Sequence, residues 1–193
     1  MNYWDKRYAD GGNSGCGSTG HLREWKWNTI KRFVESIDEV IDVGCGDLSF
    51  WDTTTLPEGY VGIDASEVII TKNKLQYPNA RFYKSMSSAP LGIVAPIVFC
   101  FDMLFHIMDD DVYKGTIENL CRMSSDYIFI YTWVNNPLRK FWFLKADRDE
   151  YERFRNLNSL TSITSEYGFD GIAIVRNETI DRFGAMLVFR RKK

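Results

Sequence analysis

The chain lacks the signatures of several common classes of protein. Only two of its 193 residues are histidine, which argues against a histidine-rich metal site, so we expect no bound metal. The four cysteines show no CxxC spacing, and they are typical of reduced thiols in a cytoplasmic protein.

Long apolar runs and a strong charge of one sign are also missing. No segment approaches the roughly 20 apolar residues that a membrane helix needs, and the segment Met1–Lys6 has no apolar core of a signal peptide. The formal net charge is -2, which argues against a broad electrostatic grip on nucleic acid. We expect a cytoplasmic monomer or homodimer, with neither a membrane nor a nucleic acid as its partner.

Two apolar, strand-like runs end in residues that suit a nucleoside. The run Val40–Val43 leads into the turn Gly44–Gly46, where missing side chains let backbone N–H groups approach a ligand closely. The run Tyr60–Ile63 ends in Asp64, whose carboxylate at a strand tip suits a ribose diol. The separation of Gly46 and Asp64 is near the spacing of about 20 residues expected for such a pair in adjacent parallel strands.

Strand-like and helical segments alternate along the chain, which favours one domain with a parallel, doubly wound sheet. The strands are expected at about 39–43, 60–64, 80–84, 97–102, 127–132, 172–175 and 185–190. The helices are expected at about 22–37, 66–77, 109–123 and 160–167, with only a turn or two of helix between Gly46 and Tyr60. The last two strands are joined by a link too short for a helical crossover, so they should form an antiparallel hairpin.

Taken in order, these motifs resemble the class I S-adenosylmethionine-dependent methyltransferases. Asp42–Gly46 resembles the first motif of that family, Gly62–Ser66 the acidic end of its second strand, and Phe101–Asp109 its fourth-strand segment. The GCGD-type first motif, together with the N-terminal segments Tyr3–Tyr8 and Gly11–Gly15, is similar to a poorly characterised bacterial and archaeal branch.

The chain departs from the family pattern at two places. Leu48 stands where the family's loop commonly carries a third small residue. The acid that often contacts the adenine amino group after the third strand is absent, and Ser85–Ser87 occupy that region. Adenine recognition there would depend on backbone groups or on Ser87.

The resemblance implies a single methyltransferase domain over residues 1–193, with a mostly parallel seven-stranded Rossmann-like sheet and a C-terminal antiparallel hairpin. Residues 1–37 would form an N-terminal lid and helix, and residues 133–159 a substrate-side insertion. The cofactor would be S-adenosyl-L-methionine, with S-adenosyl-L-homocysteine as product. The acceptor would be a small or medium-sized molecule, methylated by in-line displacement.

The same resemblance implies a set of cofactor-binding residues. Asp42 would orient the turn or take the cofactor's amino group through water, and Asp64 would accept the ribose hydroxyls. Asp102 would face the methionine end or simply cap the following turn, two alternatives that the sequence leaves open. The whole set is Asp42, Gly44, Cys45, Gly46, Asp47, Asp64, Ala65, Met86, Ser87, Asp102 and Met103.

Catalysis and acceptor binding are less defined by the sequence. His106 is placed to act as a base near neutral pH, or it is a histidine packed at a helix start. The glycine-rich segment Gly11–Gly20 is either a lid over the site, beside aromatic side chains that would attract a sulfonium, or a linker. The candidate acceptor-binding residues are Trp4, Tyr8, Trp133, Asn135, Asn136, Arg139 and Trp142. The alternative for the insertion is an aromatic-rich helix packed on the sheet edge.

Three rival functions remain at this point. A nicotinamide-dependent dehydrogenase is disfavoured because the turn lacks the full GxGxxG pattern. A non-catalytic module that binds a cofactor or a partner would keep the same pocket without turnover. An RNA or protein methyltransferase is disfavoured by the lack of a basic excess.

Overall fold

A computed structural model of the chain describes residues 3–134, 147–149, 152–177 and 179–193. Its strands are β1 (Glu39–Val43), β2 (Gly59–Asp64), β3 (Arg81–Lys84), β4 (Ala95–Phe101), β5 (Ser124–Trp133), β6 (Asp147–Asp149), β7 (Glu152–Arg153), β8 (Phe169–Asn177) and β9 (Asp181–Arg191). Its α-helices are α1 (Tyr3–Ala9), α2 (Gly20–Ile30), α3 (Glu67–Gln76), α4 (Asp110–Met123) and α5 (Leu157–Glu166). Single 3-10 turns occur at Cys16–Ser18 and Leu104–His106.

Seven of the strands form one mixed sheet in the order β3-β2-β1-β4-β5-β9-β8. The pairs among β1 to β5 are parallel, whereas β9 is antiparallel to both β5 and β8. This arrangement confirms the predicted doubly wound sheet with a C-terminal antiparallel hairpin. The chain moves outward from β1 to β3 and returns on the other side of β1 as β4, so a crevice is expected beyond the carboxyl ends of β1 and β4.

The sheet is buried on both faces because helices cover each face, and successive strand residues point alternately to the two sides. On one face Ile41 and Val61 belong to a cluster that includes apolar residues of α4 and α5. On the other face Val40 and Tyr60 pack with residues of α2 and α3. The continuous apolar runs in the sequence therefore correspond to central strands covered by helices on each side.

Two predicted helix starts are confirmed by their side-chain caps. The Ser66 hydroxyl accepts a hydrogen bond from the Ile69 N–H at 3.3 Å, and the Asp109 carboxylate accepts one from the Val112 N–H at 2.8 Å. Such caps satisfy N–H groups that have no partner within the helix. They fix where α3 and α4 begin: α3 follows directly after β2, and α4 follows β4 after the 3-10 turn Leu104–His106.

Two other expectations are wrong in detail. The first long helix ends at Ile30 rather than Ile37, and the chain after Ile30 continues in turns that include i→i+3 hydrogen bonds. Phe33 and Ile37 still pack on the core, which explains their helix-like spacing. The link from Gly46 to Tyr60 contains turns but no helix, because Leu48 adopts a φ of 61° that interrupts helical geometry.

Within the described ranges, every helix is too short or too polar to traverse a lipid bilayer. Across the same residues, no group of three or more histidine, cysteine or acidic side chains is arranged to hold a metal ion.

Candidate active site

The glycine turn after β1 and the carboxylate at the end of β2 lie together. The backbone N–H groups of Gly44 and Cys45 donate to the Ile63 carbonyl at 2.8 and 3.1 Å. The N–H of Gly46 donates to Asp64 Oδ2 at 3.1 Å, and the N–H of Ser66 donates to Asp64 Oδ1 at 2.9 Å. Neutral backbone donors from both strands therefore fix the position of the Asp64 carboxylate.

Burial raises the pKa of Asp64, and the N–H groups of Ser66 and Gly46 oppose that shift. Among the described residues, no cationic side chain pairs with this carboxylate, which keeps capacity to accept further hydrogen bonds.

The turn requires glycine for two separate reasons. Gly44 and Gly46 have φ values of 80° and 53°, in the left-handed region that side chains disfavour. A Cβ on Gly46 would also lie 2.1 Å from Ser14 Oγ. Absent side chains therefore permit both the sharp bend and the close approach of the N-terminal segment.

The N-terminal glycine-rich segment packs against this turn. Ser14 N–H donates to Asp47 Oδ2 and Asp47 N–H donates to Ser14 Oγ, both at 3.0 Å. The Tyr8 hydroxyl lies 3.2 Å from Ser14 Oγ. Burial of Asp47 would raise the pKa of its carboxyl, but hydrogen bonds from Ser14 and Ser49 outweigh it and the pKa is lowered.

The segment is therefore folded over the turn as an ordered element. Whether it opens and closes as a lid stays a prediction.

A cavity of about 410 Å³, called here the smaller cavity, opens beside the turn and Asp64. It lies where the sheet topology predicts a crevice. Its walls come from α1, the glycine-rich segment, the ends of β1, β2 and β4, and the start of α4. They comprise Trp4, Tyr8, Ser14, Ser18, Val43, Gly44, Ile63, Asp64, Ala65, Ser85, Met86, Ser87, Phe101, Asp102, Met103, His106, Ile107, Met108, Asp109 and Val112.

A second cavity of about 1230 Å³, the larger cavity, adjoins the smaller one. The two cavities share the wall residues Trp4, Ser14, Asp102 and His106. The larger cavity is bordered on its far side by Trp133 and by residues from the β8–β9 turn. Two compartments that meet at a common wall can hold two reactants side by side.

Most of the predicted cofactor residues line the smaller cavity, namely Gly44, Asp64, Ala65, Met86, Ser87, Asp102 and Met103. Four others, Asp42, Cys45, Gly46 and Asp47, are not among its wall residues. Gly46 and Asp47 instead support the turn through the hydrogen bonds given above. The sequence placed all four in or beside the glycine turn, but did not indicate which residues there form the cavity wall.

Asp42 is buried beneath the turn. Its Oδ2 accepts hydrogen bonds from Trp51 Nε1 at 2.9 Å and from the Tyr60 hydroxyl at 3.0 Å. Burial raises the pKa of Asp42 to about 6, against the opposing effect of these two donors. The geometry corresponds to a residue that orients the loop, one of the two roles predicted for it.

The predicted catalytic and acceptor residues are only partly described. His106 lines both cavities, with its ring centroid 5.2 Å from that of Trp4 in an edge-on arrangement. Trp133 borders the larger cavity and stacks on Phe105 at 4.3 Å and on Phe154 at 5.1 Å. Four predicted residues lie outside the described residues: Asn135, Asn136, Arg139 and Trp142.

Sequence reasoning missed Lys26, a fully buried lysine beneath the shared wall. A signal was present, because Lys26 is one helical turn from both Leu22 and Ile30 on the apolar face of α2. A lysine on such a face must find a buried partner. Nothing in the sequence indicates which one.

The fold is similar to those of solved S-adenosylmethionine-dependent methyltransferases. Magnesium protoporphyrin IX methyltransferase from Synechocystis PCC 6803 with bound SAH matches with a TM-score of 0.69 and 16% identity, over 97% of this chain and 94% of that one. A methyltransferase of this class from Clostridium acetobutylicum matches with a TM-score of 0.68 and 11% identity, over 91% and 93%. The N-methyltransferase NodS from Bradyrhizobium japonicum, in complex with S-adenosyl-L-homocysteine, matches with a TM-score of 0.66 and 11% identity, over 89% and 88%.

No protein-family model matches the sequence, and no curated protein does. At 11% to 16% identity the likeness to these structures establishes the fold. The chain therefore has the class I methyltransferase fold. Because one fold can serve many activities, function has to be argued from the site itself.

Proposed function

We propose that this protein transfers a methyl group from S-adenosyl-L-methionine to a small or medium-sized acceptor. The observation that carries this proposal is the smaller cavity beside the glycine turn and Asp64, which meets the larger cavity at their shared wall. The turn and the acid are joined by the Gly46 N–H, which donates to Asp64 Oδ2 at 3.1 Å. The smaller cavity has a volume within the range of about 300–1,000 Å³ typical of small-ligand sites. Structural neighbours of this chain hold SAH, which supports the same class of cofactor here.

The residues around the smaller cavity fit an adenosyl group. Asp64 would accept hydrogen bonds from the ribose hydroxyls, because its carboxylate is fixed at the cavity wall and keeps acceptor capacity beyond its two backbone donors. Gly44 has no side chain to block the close approach of a ligand to the backbone. Met86 and Ser87 would contact the adenine, while Asp102 and Met103 would lie toward the methionine end.

When bound, the cofactor supplies a methyl group on a sulfonium sulfur; as the acceptor bonds to the methyl carbon in line, the C–S bond breaks and S-adenosyl-L-homocysteine leaves as a neutral thioether. The protein then needs mainly to align the acceptor and to exclude water. The shared wall of the two cavities suits this task, since an acceptor in the larger cavity would face the donor across it. Trp4 at that wall presents an aromatic ring, which attracts a cation.

We assign His106 as the proton acceptor for acceptors that must lose a proton. It lines both cavities, and imidazole is the side chain best suited to proton transfer near neutral pH. His106→Gln keeps a planar polar side chain but removes that base. With an identified acceptor, the substitution should lower kcat about 100-fold or more and leave S-adenosyl-L-methionine affinity within about twofold. An unchanged kcat would return His106 to a packing role.

Calorimetry with S-adenosyl-L-methionine, S-adenosyl-L-homocysteine and NAD tests the class of cofactor. We expect micromolar binding of the first two ligands and none of NAD. Binding of NAD alone would indicate a dehydrogenase and contradict the proposal.

Methylation assays test the transfer itself. Cofactor binding without methylation across a broad acceptor panel would indicate a binding module instead of an enzyme. Salt-sensitive RNA binding with RNA methylation would replace the small acceptor by a nucleic acid.

A further inference from the structure

Lys26 is the one lysine among the described residues whose side chain is fully buried, with 0% exposure. Burying an ammonium is costly unless it is paired and hydrogen-bonded. Burial accordingly lowers the pKa of Lys26, and the nearby Asp102 carboxylate opposes that shift. A leucine or methionine would fill the same place without the cost of burying a charge. We therefore expect a functional reason for a lysine at this position.

The Lys26 ammonium has two hydrogen-bonding partners and lies over two aromatic rings, those of Tyr131 and Phe101. It forms an ion pair with the Asp102 carboxylate and donates to the Gly17 carbonyl at 2.8 Å. Its nitrogen also lies 4.1 Å from the centre of the Tyr131 ring, a favourable cation–π distance. Lys26 thus connects α2, the glycine-rich segment, and the ends of β4 and β5.

Asp102 occupies a strained place at the shared wall. It has a φ of 55°, which is rare for a residue other than glycine, and its N–H donates to the Tyr131 carbonyl at 3.0 Å. Gly17 lies so close that a Cβ there would be 2.5 Å from Asp102 Cγ. Gly17 lines the larger cavity, and Asp102 lines both.

We propose that Lys26 is a positioning residue that fixes Asp102 and Gly17 together as the partition between the smaller and larger cavities. This inference rests on the proposed function, and it identifies the residue that aligns the methyl donor with the acceptor. Lys26 touches neither reactant. It acts through Asp102, whose carboxylate lines both cavities and would hold the methionine end of the cofactor, and through Gly17, whose carbonyl accepts from Lys26.

The network extends from Lys26 to the far side of the larger cavity. The Tyr131 hydroxyl donates to Asp181 Oδ2 at 2.8 Å, and Asp181 lines that cavity. A Cβ on Gly184 would lie 1.9 Å from the Tyr131 hydroxyl oxygen, so position 184 must be glycine for this contact to form. Opposite walls of the larger cavity are therefore tied to the same buried lysine.

The test compares four full-length proteins: wild type, Lys26→Met, Asp102→Asn and the double variant. Lys26→Met leaves the partly buried Asp102 carboxylate without its cation, and Asp102→Asn leaves the buried Lys26 ammonium without its anion. The midpoint of thermal unfolding should therefore fall by about 10 °C in each single variant. The double variant removes both charges with similar volume, so its midpoint should return to within about 3 °C of wild type.

The double variant distinguishes an effect on positioning from an effect on stability, because its stability should be close to that of wild type. We expect its affinity for S-adenosyl-L-methionine to stay at least about tenfold below wild type, because the carboxylate at the partition is gone. Hydrogen exchange at residues 14–19 of the ligand-free protein should be at least about tenfold faster, because the Gly17 carbonyl has lost its donor. Wild-type affinity together with wild-type exchange in the double variant would overturn the inference and leave Lys26 a packing residue.

A steric variant and a charge control complete the design. Gly17→Ala retains both charged residues but adds a Cβ that would lie 2.5 Å from Asp102 Cγ, so it should also weaken cofactor binding and speed exchange. Lys31→Met, which removes an exposed lysine just beyond α2, should change neither. Wild-type behaviour of Gly17→Ala would count against the partition.

The two proposals fail in different ways. If wild type binds no S-adenosyl-L-methionine or S-adenosyl-L-homocysteine, the proposed function is wrong. The exchange measurements on ligand-free protein still decide whether Lys26 anchors the segment.

Discussion

Two of the carboxylates that line the smaller cavity lie at the ends of β2 and β4, and they are held in opposite ways. Asp64, at the end of β2, receives backbone N–H groups from Gly46 and Ser66. Asp102, just after β4, receives the buried ammonium of Lys26. The first acid is fixed by neutral donors near the strand ends, and the second by a charge from a distant helix.

The difference shows how the two halves of the site are encoded. A glycine turn followed by an acid on the next strand is a local pattern, since parallel pairing of β1 with β2 brings both to one edge. The Lys26–Asp102 pair joins residues 76 positions apart, and it exists only once α2 is packed on the sheet. The part of the site that neutral donors hold can be tested by substitution at four positions: Asp42, Gly46, Asp64 and Ser14.

The largest expected effect is a pH dependence that comes from Asp42, the other acid held by neutral donors. Its pKa is raised to about 6 by burial, against an ordinary value near 3.9. Its contribution to stability is therefore fully present below about pH 4 and is lost as the pH rises through 6. The change amounts to about 3 kcal/mol in the free energy of unfolding.

Asp42→Asn removes that titration while keeping an oxygen for Trp51 and Tyr60. Urea unfolding of both proteins from pH 4 to pH 8 should show the difference between them changing by this amount. A constant difference in the free energy of unfolding across that range would contradict the raised pKa of Asp42.

Gly46→Ala should cost about 2 kcal/mol of stability, because it combines a left-handed φ with a clash against Ser14. It should also weaken cofactor binding by displacing the glycine-rich segment. Gly92→Ala is the matched control, since Gly92 has a φ of 64° but open space around it. Equal stability losses in the two variants, measured by urea unfolding, would show that only backbone strain matters.

Asp64→Ala should weaken S-adenosyl-L-methionine binding at least about tenfold in calorimetry, about 1.4 kcal/mol, because charge-assisted hydrogen bonds to the ribose are lost. Glu58→Ala removes an exposed acid just before the other end of β2 and should leave the affinity unchanged. Wild-type affinity in Asp64→Ala would reject the ribose role.

The smallest effect is expected for Ser14→Ala, about 1 kcal/mol. This change removes the hydroxyl that accepts the Asp47 N–H and lies beside Tyr8, so exchange at residues 11–20 should become roughly fivefold faster. Ser36→Ala, at an exposed serine after α2, should leave exchange there unchanged. No acceleration in Ser14→Ala would mean that the segment is held from the Lys26 side alone.

Much of the fold is predictable from the sequence because it depends on local patterns. The apolar run 97–102 predicts a buried strand, Ser66 and Asp109 predict helix starts, and the short link before β9 predicts the antiparallel hairpin. The predicted helix end at Ile37 was wrong because Phe33 and Ile37 pack on the core at a helix-like spacing without being helical. The predicted helical turn after Gly46 was wrong because the left-handed backbone of Leu48 interrupts helical geometry. Those features depend on what packs nearby, which the sequence pattern does not contain.

For the candidate site, the sequence by itself determined the glycine turn, the acid that faces it and the order of the strands that bring them together. Only the tertiary structure decided that Asp42 lies under the turn instead of facing the cavity, and that Lys26 reaches Asp102. The reason is physical: short-range hydrogen bonding and side-chain periodicity act between neighbours in the chain. Which residue pairs with a buried charge depends on which distant elements pack around that charge and exclude water from it.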